Sequence, residues 1–340
     1  MMRAAIFDAE AREVRIEELP IPRPASDELL IKVCRCGLCG SDVSLTGDGP
    51  FAFATGRFGH EYAGEVIEAG RDAGSFRAGD RVAVLPVVPC NACDYCRWGN
   101  PLLCRNPASA TQGLGEYAVV PAKVAVHLPE SLSFADGALI EPIACGLHAM
   151  RLAGVRAGKR VLVIGGGAIA LSAIYWARRL GAGRVVALSR SAHRADMIME
   201  MGGDTILGFD EDSQGRIADA LGGAPDIVAE CVGKPGMIDL ALGHVRPRGT
   251  VLAMGMCVTP EPIVPARATF KEARLIFPLG YTMDEFVETA RAFDADRLNP
   301  ERMVGEVIAL DQVPATLQAM RKGGSGAKIH VDPSRSFSHA

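Results

Sequence analysis

From Ala4 to about Leu128 short apolar runs alternate with polar positions and are broken by Gly, Pro and Asp, as in Leu29–Val33, Ala63–Glu68, Arg81–Leu85 and Tyr117–Val120. Runs of this spacing, without a helical period, predict a β-rich lobe. Gly79-Asp80 and Pro20–Pro24 mark turns or loops. The texture changes near Ser133, where Phe134–Met150 is small and apolar and predicts a helix entering a second domain. From Arg160 the run R-V-L-V-I-G-G-G-A-I-A-L-S-A-I-Y-W-A-R-R-L-G predicts a strand (Val161–Ile164), a glycine turn and a helix to about Leu180. A second strand is expected at Val185–Leu188, and others at Thr205–Leu207, Asp226–Cys231 and Thr250–Met254, separated by helices such as Ala192–Met201. That alternation implies a parallel, doubly wound sheet. After about Tyr281 the pattern predicts helix (Asp284–Phe293), strand (Val304–Leu310), helix (Val313–Lys322) and strand (Lys328–Val331), a tail expected to rejoin the first lobe. The fold class is α/β. The expected boundaries are 1–145 for the first part of the β-rich domain, 146–280 for the doubly wound domain and 281–340 for the return to the first.

Composition narrows the class. A chain of 340 residues, 49% apolar and 22% charged, suits a two-domain globular enzyme. The net charge of −4 gives no reason to expect nucleic acid or a membrane surface as partner. The N-terminal M-M-R-A-A-I-F-D-A-E has no apolar core of a secretory signal. The uncharged run Val161–Ala177 is interrupted by Gly165–Gly167 and falls short of the roughly 20 residues a membrane span needs. Ten cysteines without a signal favour thiols or metal ligands over disulfides, and a cytoplasmic protein.

Two stretches carry candidate chemistry. C-G-L-C-G-S-D (Cys36–Asp42) and G-H-E-Y (Gly59–Tyr62) bring a thiolate, an imidazole and a carboxylate close in sequence, with Ser41 two places after Cys39. Cys, His and Asp/Glu are zinc ligands, and an open zinc site suits Lewis-acid work on an oxygen substrate. A buried Cys, a core His and a surface Glu that never meet is the plain alternative. Cys90, Cys93, Cys96 and Cys104, spaced C-x2-C-x2-C-x7-C in a lobe at 88–106, read as a closed structural zinc site. A disulfide pair or a redox motif is the alternative. Glu141, just before Pro142 in an apolar stretch, needs a partner. A metal, an Arg or a capping role would each supply one.

The glycine turn sits in the strand–turn–helix context of a dinucleotide fingerprint. Gly165 makes the turn, Gly167 admits the pyrophosphate, Ala168 and Ile169 open the helix that faces it, and Ala170 takes the third fingerprint position. No Asp or Glu occurs between Ala168 and Ala195, where an NAD site places a carboxylate for the ribose 2′-hydroxyl. Ser189, Arg190 and Arg194 stand there instead, and a guanidinium can pair with a 2′-phosphate, which favours NADP over NAD. Arginines that are merely solvated are the alternative.

Together G-L-C-G-S-D, G-H-E, the four-Cys lobe, L-I-E-P and the glycine turn resemble the zinc-dependent medium-chain dehydrogenase/reductase family, in its polyol (sorbitol-like) branch, over nearly the whole chain. The resemblance implies a chaperonin-10-like β-rich catalytic domain, an inserted Rossmann domain and a C-terminal return. It implies one catalytic and one structural zinc. Cys39 and His60 would be catalytic ligands, Glu61 a ligand or near-ligand, Ser41 the start of a proton relay and Asp42 a support behind the ligands. Glu141 stands where simple alcohol dehydrogenases place a second cysteine, and the resemblance to the polyol branch implies that it ligates the catalytic zinc or binds that zinc's water. The implied reaction passes a hydride from the carbinol carbon of a polyol, sugar-derived or secondary alcohol to NAD(P). The family often has a histidine shortly after S-D, and Ser44 replaces it here. Threonine-type or simple-alcohol dehydrogenases, and a non-catalytic NADP-binding protein, are the other readings. A homodimer or homotetramer is implied, with Leu275–Leu279 as an edge strand. The loop Thr46–Phe58 is expected to line the pocket through Phe51, Phe53 and Phe58, with Arg57 a solvated residue. His127, His148, His193, His244, His330 and His339 are expected in structural roles. Cys34, Cys36, Cys145, Cys231 and Cys257 are expected as small buried hydrophobes.

Overall fold

The computed structural model describes residues 1–47, 54–190, 194–209, 213–296, 300–322 and 328–335. Phe51, Phe53, His193 and His339 lie outside them. The chain divides into two compact units, Met1–Glu141 with Thr282–Ala340, and Pro142–Tyr281.

The first unit is β-rich. Its central strand, Glu28–Leu38, is flanked antiparallel by Glu61–Ala69 and Lys328–Asp332, and Tyr117–Pro121 also pairs with it. Arg81–Val84 and Ala125–His127 extend one side of the sheet, and Val304–Ala309 extends the other. A smaller sheet joins Met2–Asp8 to Glu13–Leu19 and to Gly56–Arg57. The alternation seen in the sequence is the inward face of these strands: Leu29, Ile31 and Val33 are essentially inaccessible, while Lys32 between them is exposed. Strand ends run further than the apolar pattern shows, because ladder pairing continues through Cys36 and Gly37 after the alternation stops.

The second unit holds six parallel strands in the order Thr205–Leu207, Arg184–Leu188, Arg160–Ile164, Ile227–Glu230, Thr250–Ala253, Arg274–Ile276. This is the 3-2-1-4-5-6 order of a dinucleotide-binding sheet. Strands that are fully buried, such as Val161–Ile164, read as continuous apolar runs because helices cover both faces. The helix Ala168–Arg179 packs along the first strand, and Trp176 donates from Nε1 to the Ile143 carbonyl at 3.0 Å. The last strand stops at Ile276, so Phe277 and Leu279 lie beyond it and are exposed. Among the described residues no helix is long and apolar enough to cross a membrane.

Candidate active site

The strand register builds the first site. Gly37 lies opposite Glu61 on one side of the central strand and opposite His330 on the other. That brings the chain just past Leu38 between the starts of two strands, with His60 and Glu61 on one flank and Lys328 on the other. The helix Gly40–Leu45 then begins, with Cys39 as its N-cap. Asp42 closes the cap by accepting from the Cys39 N–H at 2.9 Å through Oδ2. Its other oxygen, Oδ1, lies 3.2 Å from His60 Nδ1. Asp42 is fully buried, so one carboxylate fixes both the helix start and the imidazole.

With Nδ1 facing Asp42, His60 presents Nε2 to the site, where Ser41 Oγ stands 3.3 Å away. The donor atoms of Cys39, His60 and Glu61 all lie within 4.8 Å of one another. Burial alone would lower the His60 pKa, but the Asp42 carboxylate and the Cys39 sulfur outweigh it and hold it raised. A soft thiolate, an imidazole oriented by a carboxylate and a hard oxygen form a donor set that suits zinc.

Glu141 is buried but is not one of these clustered donors. It stands near enough to Lys328 to help raise that ammonium's pKa. Its position just ahead of Pro142 in the helix Phe134–Leu152 sets it beside Lys328.

The group that sequence reasoning missed is Lys328. Its side chain is 5% exposed, and it forms an ion pair with Glu61, which is wholly buried. Burial would lower the Lys328 pKa, but Glu61, Cys39 and Glu141 raise it, so the ammonium stays charged. Gly37 is required here, since a Cβ on it would fall 2.1 Å from Glu61 Oε2 and 2.9 Å from Lys328 Cε. A lysine opening a strand of otherwise buried residues was the available signal. Its partner, 267 positions away, could not be read from the sequence.

The four-Cys lobe is compact. The Sγ atoms of Cys90, Cys93, Cys96 and Cys104 lie within 4.8 Å of one another, with 3.8 Å between Cys90 and Cys96 and 3.5 Å between Cys93 and Cys96. Four sulfurs about 2.3 Å from one tetrahedral zinc are about 3.8 Å apart, so the set fits that ion. None of the four is in a disulfide. Backbone N–H groups, that of Arg105 first, bring the Cys93 thiol down to about 6, which favours the thiolate.

In the second unit Gly165 adopts φ +125°, a left-handed conformation that only glycine takes readily, and Gly167 caps the helix that starts at Ala168. Ala170 is wholly buried, which allows close packing of helix on strand. Ser189 is buried, and a Cβ on Gly166 would come 2.9 Å from its Oγ. Arg194 donates from Nη1 to the Gly166 carbonyl, and Arg190 is exposed. Glu230, unremarked in the sequence, caps the turn after its strand by accepting from the Gly233 N–H at 2.9 Å. Ser189 and Arg190 follow the end of the second strand at Leu188, with no carboxylate there.

Two further expectations change. Arg57 is not a solvated loop residue: it is half-buried, donates to Gln112 Oε1 at 2.8 Å and to the Tyr117 carbonyl, and so ties strand ends together. Of the five unassigned cysteines only Cys36 is buried, because Cys34, Cys145, Cys231 and Cys257 lie at positions that keep partial solvent access.

A metal-type donor cluster in one unit and a dinucleotide sheet in the other are the equipment of a zinc-dependent oxidoreductase that works with a nicotinamide coenzyme. Comparison with known proteins agrees. Residues 25–130 match the alcohol dehydrogenase GroES-like domain, and residues 168–295 match the zinc-binding dehydrogenase family. The chain is 31% identical to the sorbitol dehydrogenase of Gallus gallus over 96% of its own length and 95% of the relative's. Among solved structures it resembles 2R,3R-butanediol dehydrogenase from Bacillus subtilis, with a TM-score of 0.86, 27% identity and coverage of 98% and 100% of the two chains. It also resembles a zinc-binding dehydrogenase from Sinorhizobium meliloti bound to NADP, with a TM-score of 0.84, 28% identity and coverage of 98% and 99%. The chain belongs to the zinc-dependent medium-chain alcohol dehydrogenases, among relatives of the polyol type. Zinc and NAD or NADP are its cofactors.

Proposed function

We propose that the protein oxidises a polyol or a related secondary alcohol, with NADP preferred over NAD. The clustering of Cys39, His60 and Glu61 donors beside the Ser41 hydroxyl is the observation that carries this reading. When bound, zinc supplies a Lewis acid for an alcohol oxygen and NAD(P) supplies a hydride acceptor. Cys39 and His60 would hold the metal, with Glu61 as the third donor. Asp42 keeps a proton on His60 Nδ1, so Nε2 keeps its lone pair for the metal. Ser41 takes the proton of the substrate hydroxyl as it gives up its own towards solvent water. Ser44, one helical turn on and on the same face, is the next hydroxyl in line and stands in for the missing histidine. Lys328 holds the Glu61 carboxylate and sets how much of its charge is available. Cys90, Cys93, Cys96 and Cys104 would hold a second, closed zinc whose role is structural.

The coenzyme reading rests on Ser189, Arg190 and Arg194, with Gly165, Gly167, Ala168 and Ile169 at the pyrophosphate. No carboxylate ends the second strand, and the Sinorhizobium relative is bound to NADP. A coenzyme-reduction screen over polyols, sugar acids and secondary alcohols tests the whole reading. The highest kcat/KM is expected with a polyol, and NADP should exceed NAD by about tenfold, the effect of one charge-assisted bidentate pair. A preference for NAD would sink the coenzyme assignment, and turnover of threonine alone would move the substrate class.

Exposed Phe270, Phe277 and Leu279 beside the edge strand Arg274–Ile276 support a homo-oligomer built through that edge. Ten cysteines, none of them in a disulfide, support a reducing, cytoplasmic setting.

A further inference from the structure

We propose that a cleft at the other edge of the six-stranded sheet, away from the glycine turn, binds a phosphate dianion, either free or carried on a small metabolite. The coenzyme turn follows the carboxyl end of the strand Arg160–Ile164, whereas this cleft is formed where the strands begin. It has a volume of about 320 Å³, within the range of small-ligand sites. Arg156, Lys159, Arg246, Arg248 and Arg274 line it, and Asp226 is the one carboxylate among its lining residues. Nothing in the proposed dehydrogenase chemistry uses this charge.

The carboxylate does not neutralise the cleft. Asp226 faces Arg246 Nε at 2.7 Å, Arg160 Nε at 3.4 Å and Lys159 Nζ at 3.5 Å, so it is fully engaged by three cations. Burial would raise its pKa, but the Arg160 N–H and these cations bring it down to about 2. The remaining guanidiniums have weaker ties or none. The Arg156 side chain makes no hydrogen bond or ion pair among the described residues. Among the described residues the Arg274 guanidinium donates only to the Thr250 hydroxyl, at 2.9 Å. Arg248 meets Glu272 at 2.7 Å in a pair whose side chains are 79% and 69% exposed, an arrangement that solvent screens heavily. Both members of that pair hold left-handed backbone, with φ of 59° and 47°, at positions where glycine would be easier. Cations thus converge from the segment before the first strand, the turn before Thr250 and the start of the last strand. Three directions of approach with planar N–H forks suit a tetrahedral dianion better than a planar carboxylate.

The test is calorimetric titration of inorganic phosphate into the full-length, zinc-loaded protein. Saturating NADP fills the coenzyme's own phosphate groove, and chloride holds the ionic strength constant. One saturable site per chain is expected. Arg156→Ala, which removes a side chain without internal partners, should weaken it about fivefold, and Arg156→Ala with Arg274→Ala about tenfold or more. Arg71→Ala, at an 85% exposed side chain elsewhere, should change nothing. Thermal midpoints in chloride check that the variants fold. A second titration with a hexose 6-phosphate separates the sources: tighter binding that Arg156→Ala weakens assigns a carried phosphate, and weaker binding assigns the free ion. Phosphate binding that does not saturate, or that is the same in Arg156→Ala, would overturn the proposal and leave the dehydrogenase reading untouched.

Discussion

Cys39→Ser and His60→Ala are each expected to lower kcat about 1,000-fold or more, because loss of the Lewis acid forfeits several kcal/mol and each 1.36 kcal/mol is about tenfold. Coenzyme affinity should stay unchanged, since Gly165, Ser189, Arg190 and Arg194 belong to the other compact unit. Metal analysis of the same variants should fall from two zinc ions per chain to one, the ion held by Cys90, Cys93, Cys96 and Cys104. Steady-state kinetics, fluorescence titration of the coenzyme and elemental analysis read the three outcomes separately. Parallel loss of coenzyme binding would point to misfolding instead of a lost ligand.

Lys328→Met is expected to cost about 3–5 kcal/mol of stability in the metal-free protein, because it leaves a buried carboxylate without its counter-charge. Glu61 is wholly buried and Lys328 is 5% exposed, so solvent cannot replace the lost ammonium. In the zinc-loaded protein the loss should be smaller, since Glu61 then has a second cation to face. Urea unfolding with and without a chelator measures both values. A loss below about 1 kcal/mol in the metal-free protein would mean the pair behaves as a solvated surface bridge.

These two results rest on features that were unequally legible in the sequence. Local chemistry was open to reading: the C-x2-C steps, the strand–glycine–helix run and the reach of Cys39, Ser41, His60 and Glu61 are short-range patterns. The alternation of strands with helices after Arg160 sufficed for a doubly wound sheet, because its inner stretches, such as Val161–Ile164 and Val185–Leu188, are buried on both faces and read as apolar runs. What could not be read depends on register between distant strands. Lys328 meets Glu61 only because Lys328–Asp332 and Glu61–Ala69 flank the same central strand. Glu141 drew a metal-ligand reading from its place in L-I-E-P, whereas its effect on Lys328, far away in sequence, could not be read. Arg57 looked like a loop residue because its acceptors, Gln112 and the Tyr117 carbonyl, lie more than fifty positions away. The cations of the basic cleft come from three segments far apart in sequence, before Arg160, before Thr250 and at Arg274, none of which stands out on its own.

The central claim is that a zinc ion held by Cys39, His60 and Glu61 is required for alcohol oxidation by this chain. Stripping the metal with a chelator, then assaying coenzyme reduction with a polyol before and after adding zinc back, tests it most directly. Activity should vanish on removal and return with stoichiometric zinc in the parent chain, but not in Cys39→Ser. Undiminished turnover in protein shown to be metal-free would contradict the account.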